Sequence, residues 1–327
     1  MKNVWITLCV VSILLCSGPA AAAETLQPIT IQLNWVTNVE FAGILLAKDR
    51  GWYAEVGIDL TIKGWEAGIS SIDEMIAGKA QIGVDEGSAI IEARAQGHNI
   101  KAIAVQFQKS PFCLISKNAT GIKTPEDLAG KRIGIKMGAS TLMTDIVLLH
   151  GGLKHEDITP VKIGWELQPL LDDVIDVLPG YMNDEPLDLK AQGHDVTYIP
   201  AFKHGYDFYS CVYIVSETLI AEQPELIRSF LNVTLRGWKA AFQDPAATAA
   251  LIVEKYYPDG SVDQQTQSLK IFHTLATIGV GDALIGFMEE RFWEKGIDIL
   301  HTYQQIEQKI PARDVFTMEF LPKASQQ

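Results

Sequence analysis

The amino-acid sequence predicts an α/β fold divided into two lobes, with a ligand cleft between them. Short β-rich runs alternate with helical stretches from residue 29 to about residue 200, which is typical of a parallel sheet with crossover helices. Two extended segments, Pro111–Ser116 and Tyr209–Ser216, bracket the second half of this pattern and are expected to cross between the lobes. After the second segment the chain becomes almost wholly helical.

The elements follow in three groups along the chain. The first group has predicted strands at 29–35, 58–65, 82–84 and 100–106 and helices at 40–53, 70–77 and 89–96. The second has strands at 132–136, 161–165, 174–178 and 196–200 and a helix at 140–150. The third has helices at 219–243, 246–256, 264–276 and 287–306, with Pro224 and Pro245 at first-turn positions.

This arrangement predicts that the second lobe is an insertion in the first. Residues 24–113 together with 210–327 are expected to form the first lobe, and residues 114–209 the second. Two connections between lobes are typical of a hinge that opens and closes a cleft.

The first 23 residues have the pattern of an export signal. Lys2 precedes an apolar run from Val4 to Leu15, and Ala20–Ala23 offers a small-residue cleavage site. A membrane anchor is the alternative, but the apolar run is shorter than the ~20 residues that span a bilayer. We expect cleavage near Ala23 and a soluble, monomeric protein in the periplasm.

Composition and cysteine content exclude several classes of function. With 47% hydrophobic residues the chain is expected to fold, and its net charge of −13 opposes binding to nucleic acid. After cleavage only Cys113 and Cys211 remain, too far apart in sequence for a local metal motif. They are either a disulfide or two buried thiols. We expect no metal and no cofactor.

Candidate ligand residues lie where predicted strands end, since open α/β sheets bind ligands there. In the first lobe these are Asn34, Trp35, Asn38, Trp65, Glu86, Ser88, Gln106 and Phe107. In the second lobe they are Gly138, Ser140, Thr141, Tyr181, Asn183 and Glu185.

Aromatic faces beside amide and carboxylate acceptors are suited to a flat heteroaromatic ligand with N–H groups. Two alternatives stay open. Residues 138–141 are either a binding site at a helix start or simple helix capping, and residues 181–186 are either a ligand contact or an ordinary acidic loop. The usual dinucleotide, phosphate-loop, serine-hydrolase and zinc-protease motifs are absent from the sequence, which favours a binding protein over an enzyme.

A series of short motifs resembles a known family. The motifs are Leu33–Trp35, Ala47–Lys48, Gly51–Tyr53, Gly57–Asp59, Thr124–Lys131 and Pro224–Glu225. Over residues 28–322 the chain resembles periplasmic substrate-binding proteins of the thiamine-pyrimidine-precursor family, within the sulfonate, nitrate and taurine group of ABC-transporter binding proteins. The resemblance implies a two-lobed, type II periplasmic binding protein fold, a small heteroaromatic ligand and an ABC permease in the inner membrane as partner.

The same family includes a fungal enzyme that builds the thiamine pyrimidine from its own histidine and bound pyridoxal phosphate. Where that enzyme has a lysine and then a histidine after the third strand, this chain has Asp85–Ala89. The departure favours a binding protein without catalytic residues. A synthase-like enzyme and a ligand sensor that partners a membrane receptor remain the alternatives.

Overall fold

The computed structural model describes residues 26–136 and 139–322. The expected signal peptide and the candidate Gly138 lie outside these residues. The described strands are β1 Gln27–Gln32, β2 Ile58–Lys63, β3 Ile82–Asp85, β4 Ile100–Phe107, β5 Phe112–Lys117, β6 Arg132–Ile135, β7 Thr159–Lys162, β8 Leu178–Tyr181, β9 Val196–Pro200 and β10 Ser210–Ser216. The described α-helices are α1 Ala42–Asp49, α2 Ser71–Ile76, α3 Gly87–Ala95, α4 Ala139–His150, α5 Gln168–Leu171, α6 Glu185–Ala191, α7 Glu217–Glu222, α8 Pro224–Gln243, α9 Pro245–Lys255, α10 Val262–Thr277, α11 Glu290–Thr302 and α12 Ala312–Val315.

The first sheet has five strands in the order β2-β1-β3-β10-β4. Strand β1 is parallel to β2 and β3, whereas β10 is antiparallel to β3 and β4. The sheet is therefore mixed: the expected parallel pairing holds for β1, β2 and β3, but not for β10 and β4. The cause is β10, which returns from the second part of the chain in the opposite direction.

The second part of the chain builds a three-stranded sheet and a strand pair. Strand β5 lies between β8 and β9 and is antiparallel to both. Strands β6 and β7 are parallel, and the amide of Gly134 in β6 donates to the carbonyl of Val177, just before β8, at 2.9 Å. The predicted strand at 174–178 is thus displaced to Leu178–Tyr181.

The segments expected to cross between lobes are strands inside two different sheets. Pro111–Ser116 is mostly β5, and Tyr209–Ser216 is mostly β10. The two sheets are joined by the segments 108–111 and 201–209. The sequence alone does not distinguish a central strand of a sheet from an extended connection between lobes, because both are short apolar runs. The lobe boundaries remain a proposal, and the pairing of Phe112 with Tyr181 favours a first boundary before residue 112.

Helices α1 and α8 pack against each other unusually closely. A Cβ atom on Gly237 of α8 would lie 1.9 Å from the carbonyl oxygen of Gly43 in α1, so the contact requires glycine. The neighbouring Trp238 is buried, and its indole N–H donates to the hydroxyl of Tyr213 in β10 at 2.9 Å. The helical third of the chain is thereby fixed onto the first sheet. Across the described part of the chain, no helix is both long and apolar enough to cross a membrane.

Cys113 and Cys211 are both buried free thiols. Cys113 lies in β5 and Cys211 in β10, so they belong to different sheets. Burial raises the pKa of both thiols. The sequence left open either a disulfide or two buried thiols, and the structure contains two buried thiols.

Candidate functional site

A cavity of about 220 Å³ lies between the ends of strands from both sheets. Its first wall is formed at the ends of β1, β2 and β3, and its second wall by residues after β6 and β7 and by the end of β8. The described residues that line it are Asn34, Trp35, Glu40, Trp65, Asp85, Glu86, Phe112, Lys136, Ala139, Ser140, Trp165, Pro179, Gly180, Tyr181, Asp184 and Glu185. The cavity is therefore built from strand ends, as the general rule for α/β sheets predicts.

Three tryptophans form the aromatic side of the cavity. Trp35 follows β1 and Trp65 follows β2, and their ring centroids are 5.2 Å apart. Trp165, after β7, approaches Trp35 at 5.4 Å and Trp65 at 6.4 Å. Trp165 is 52% exposed, so part of a large apolar ring faces solvent at the cavity. Such faces are suited to stacking on a flat ligand ring.

Glu86 is a buried carboxyl group with one satisfied and one free oxygen. Its Oε1 accepts hydrogen bonds from the Tyr181 hydroxyl at 2.9 Å and from the Ser210 hydroxyl at 2.8 Å. Its Oε2 is buried and has no partner among the described residues. Burial raises the pKa of Glu86 to about 7, although the bonds from Ser210 and Tyr181 lower it.

Other carboxyl groups surround Glu86. Glu40 accepts a hydrogen bond from the Cys211 thiol at 3.0 Å, and burial raises its pKa to about 8. Burial, and then the neighbouring Glu185, raise the pKa of Asp184 to about 7. Burial also raises the pKa of Asp85, which accepts a hydrogen bond from Ser71 at 2.6 Å. Near neutral pH this cavity therefore carries protons on some of its carboxyl groups.

Lys136 and Glu185 form an ion pair at the second wall. Lys136 is 3% exposed, and its Nζ lies 3.2 Å from Glu185 Oε1 and 5.1 Å from the ring centre of Trp165. Glu185 Oε2 accepts the backbone N–H of Tyr181 at 2.6 Å. A Cβ on Gly180 would lie 2.5 Å from the Glu185 carboxyl carbon, so only glycine leaves room for this arrangement.

Half of the residues predicted from strand ends line the cavity. These are Asn34, Trp35, Trp65, Glu86, Ser140, Tyr181 and Glu185. Asn34 Oδ1, like Glu86 Oε2, is a buried acceptor without a partner among the described residues. Both oxygens of Glu185 already have protein partners, whereas Asn34 and Glu86 each offer a buried acceptor without one among the described residues.

Three first-lobe candidates, Asn38, Gln106 and Phe107, do not line the cavity, because their side chains make contacts elsewhere within the protein. Phe107 stacks on Phe272 at 4.3 Å, and Gln106 accepts from Tyr213 at 3.1 Å, since β4 continues through both positions. Asn38 accepts the backbone N–H of Glu40 at 2.8 Å and so caps a helical turn.

Three further predictions also lie outside the cavity lining. Ser88 is buried within α3. Asn183 donates to Ser268 of α10 at 3.1 Å. The hydroxyl of Thr141 in α4 donates to the carbonyl of Lys136 at 2.6 Å.

Several cavity residues escaped the sequence analysis. Lys136 falls inside the strand predicted at 132–136, although β6 ends one residue earlier, and Trp165 falls inside the strand predicted at 161–165, although β7 ends at Lys162. Glu40 falls at the start of the helix predicted at 40–53. Asp184 lies inside the 181–186 cluster but is not among the predicted ligand residues. Over the described ranges, no group of three or more His, Cys, Asp or Glu side chains is placed to hold a metal ion.

A family model described as NMT1/THI5 like matches residues 38–248, well over half of the chain. The chain is 27% identical over 324 residues to the riboflavin-binding protein RibY of Chloroflexus aurantiacus, covering 94% of this chain and 90% of that protein. It is 22% identical over 308 residues to the formylaminopyrimidine-binding protein of Halalkalibacterium halodurans, covering 92% of this chain and 93% of that protein.

An enzyme is also among the relatives. The chain is 28% identical over 233 residues to a 4-amino-5-hydroxymethyl-2-methylpyrimidine phosphate synthase of Legionella pneumophila, covering 69% of this chain and 73% of that protein.

Among solved structures, the periplasmic aliphatic sulphonate binding protein SsuA from Escherichia coli superposes with a TM-score of 0.71 at 14% identity, covering 88% of this chain and 91% of that one. This similarity confirms the predicted two-lobed α/β fold of periplasmic binding proteins.

Proposed function

The chain belongs to the NMT1/THI5-like family, and from this premise we propose that it is a solute-binding protein that captures a small heteroaromatic ligand for uptake by an ABC permease. Two relatives that match more than nine-tenths of this chain are named as binders of riboflavin and of formylaminopyrimidine, both of which contain flat nitrogen heterocycles. We further propose that the protein acts in the periplasm as a monomer, after cleavage of its signal peptide near Ala23.

One observation carries the proposal: the three clustered tryptophans lie beside two buried acceptor atoms that lack partners. Trp35, Trp65 and Trp165 supply ring faces, and Asn34 Oδ1 and Glu86 Oε2 supply acceptors. A buried polar atom without a partner is costly, so its satisfaction by a ligand contributes to affinity. A heterocycle with N–H groups satisfies both requirements at once.

The cavity draws on both sheets, which gives ligand binding a way to favour a closed arrangement of the lobes. The first wall contributes Trp35 and Glu86, and the second contributes Trp165 and Tyr181. A ligand that contacts both walls binds the closed state more tightly than the open one and shifts the population toward it. The segments 108–111 and 201–209 are the proposed hinge.

Calorimetric titration with riboflavin and with formylaminopyrimidine tests the proposal, together with mass spectrometry of small molecules released from the purified protein. We expect at least one heterocycle to bind and Trp35→Leu to weaken it by about tenfold through the lost ring contact. Trp52→Leu is the matched control, because Trp52 lies outside the cavity and packs under Arg236 at 3.7 Å. If no heterocycle binds or is released, or if both variants lose affinity equally, the proposed function is wrong.

A synthase activity is the second candidate, since one relative carries that name. The cavity residues favour a binder, because no histidine lines the cavity within the described ranges and the chain has Asp85 at the end of β3 and Glu86 directly after it. The cavity lysine, Lys136, is engaged by Glu185. Incubation with pyridoxal phosphate and iron, followed by product analysis, is expected to yield no pyrimidine; a pyrimidine product would favour the enzyme.

A further inference from the structure

The free oxygen of Glu86 is held in a fixed position at the cavity. Glu86 is 5% exposed, and the hydroxyls of Tyr181 and Ser210 both bind its Oε1. These two bonds come from different sheets and fix the carboxyl plane. Oε2 is left as an oriented acceptor in a buried environment, where an unsatisfied charge is strongly disfavoured.

The ionisable side chains around Glu86 are almost all acidic. Among the described residues that line the cavity, five carry carboxyl groups, Glu40, Asp85, Glu86, Asp184 and Glu185, and one, Lys136, carries an amine. That lysine is already paired with Glu185 at 3.2 Å. As these carboxyl groups ionise with rising pH, an anionic ligand meets increasing repulsion, and no unpaired cation among the described lining residues offsets it.

We propose that Glu86 is the specificity-determining acceptor of this cavity, that its Oε2 takes an N–H donor of a neutral or cationic heterocycle, and that the surrounding carboxyl groups exclude anionic solutes such as sulfonates. The inference rests on the proposed function and adds the charge class of the ligand to it. It separates this chain from SsuA, a sulphonate binder of the same fold.

The proposal includes a proton exchange. Glu86 is faced by Asp85 of β3, Glu40 before α1, Tyr181 of β8, Tyr206 before β10 and Cys211 of β10. With its pKa raised to about 7 by burial, Glu86 is partly protonated in the free protein at neutral pH. An N–H donor stabilises the ionised carboxylate and so releases the proton. Affinity for such a ligand therefore rises as pH increases from 6 to 8.

Three probes of similar size test the inference by calorimetry: 4-amino-2-methylpyrimidine, its 4-oxo analogue, and benzenesulfonate. The wild-type protein is expected to bind the amine best and the sulfonate least. Titration in two buffers with different ionisation enthalpies measures the proton released with the amine. Glu86→Gln is expected to weaken amine binding roughly 5- to 150-fold and to remove most of its pH dependence.

Glu222→Gln is the matched control, because it removes the same charge from an exposed position on α7. It is expected to leave all three affinities unchanged. Tight binding of benzenesulfonate by the wild-type protein, or amine binding without proton release, overturns the inference while leaving heterocycle binding, and with it the proposed function, intact. Both measurements use the wild-type protein, so they stand even if Glu86→Gln fails to fold.

Discussion

Replacement of Glu40 by glutamine is expected to stabilise the protein at neutral pH. Glu40 is buried, and its carboxyl group has the Cys211 thiol as a hydrogen-bond donor while three acidic residues, Glu86, Asp184 and Glu185, lie near enough to oppose its charge. Glutamine has nearly the same shape, keeps an oxygen that accepts from the thiol, and carries no charge at any pH.

The direction of the stability change follows from the pKa of Glu40, which burial raises from 4.5 to about 8 in the folded protein. Below pH 4.5 both the folded and unfolded states hold the proton, and stability is unaffected. Between pH 4.5 and 8 the unfolded state loses its proton while the folded state keeps it, so stability falls as pH rises. Above pH 8 both states are ionised and the loss levels off.

The size of the stability penalty follows from how far the pH lies above 4.5 within this interval. Each pH unit costs about 1.4 kcal/mol, so the penalty reaches about 3 kcal/mol at pH 7 and less than about 1 kcal/mol at pH 5. Glu40→Gln removes it. At about 2–4 °C per kcal/mol, the melting temperature of the variant is expected to exceed that of the wild type by roughly 6–12 °C at pH 7 and to approach it at pH 5.

Thermal melts at half-unit pH intervals from 5 to 8 measure this difference. Glu222→Gln, on the exposed surface, is expected to stay within about 0.5 kcal/mol of the wild type at every pH. Parallel melting curves for Glu40→Gln and wild type across this range would refute the reasoning, since they would mean that the Glu40 carboxyl titrates alike in both states.

Three other predictions concern the ion pair, the helix contact and the thiols. Lys136→Met is expected to cost about 3 kcal/mol, because it leaves Glu185, only 16% exposed, without its cation, and adding Glu185→Gln should restore most of the loss. An equal loss in the double variant would instead assign the effect to packing of the lysine stem. Gly237→Ala is expected to lower the free energy of unfolding by at least about 1–3 kcal/mol, since its Cβ would meet a carbonyl of α1 at 1.9 Å, and an unchanged melting temperature would contradict the close contact. Cys113 and Cys211 should resist a thiol reagent in the folded protein and both react in urea without a reductant, whereas a missing thiol in urea would mean a disulfide.

The sequence predicted element types better than the way the elements combine. Strands at 58–65, 100–106 and 196–200 correspond to β2, β4 and β9, because their apolar runs and flanking turn residues are local signals. The antiparallel direction of β10 was not predictable, because a continuous buried apolar run is the same whether the neighbouring strands are parallel or antiparallel to it. The role of β5 as a central strand depended on pairing with β8 and β9, which are distant in sequence.

The candidate site was predictable where chemistry coincides with a strand end. Trp35 and Trp65 line the cavity because each closely follows a strand, whereas Phe107, selected by the same rule, lies outside the lining because β4 runs further than its pattern indicates. Lys136 and Glu40 were missed for a different reason. A charged residue near the start of a helix or the end of a strand is usually solvated, and only tertiary packing buries it against a cavity.

The position of β10 between β3 and β4 has a consequence for the order in which the chain acquires structure. Strands β3 and β4 do not pair with each other in the described sheet. Each pairs with β10, which follows β4 in the sequence by about a hundred residues. Closing so long a loop slows folding, because the entropy is lost before the contacts form. During synthesis the edges of β3 and β4 that pair with β10 stay unpaired until residue 216 has emerged. A chaperone that protects exposed strand edges would be needed longest during this interval.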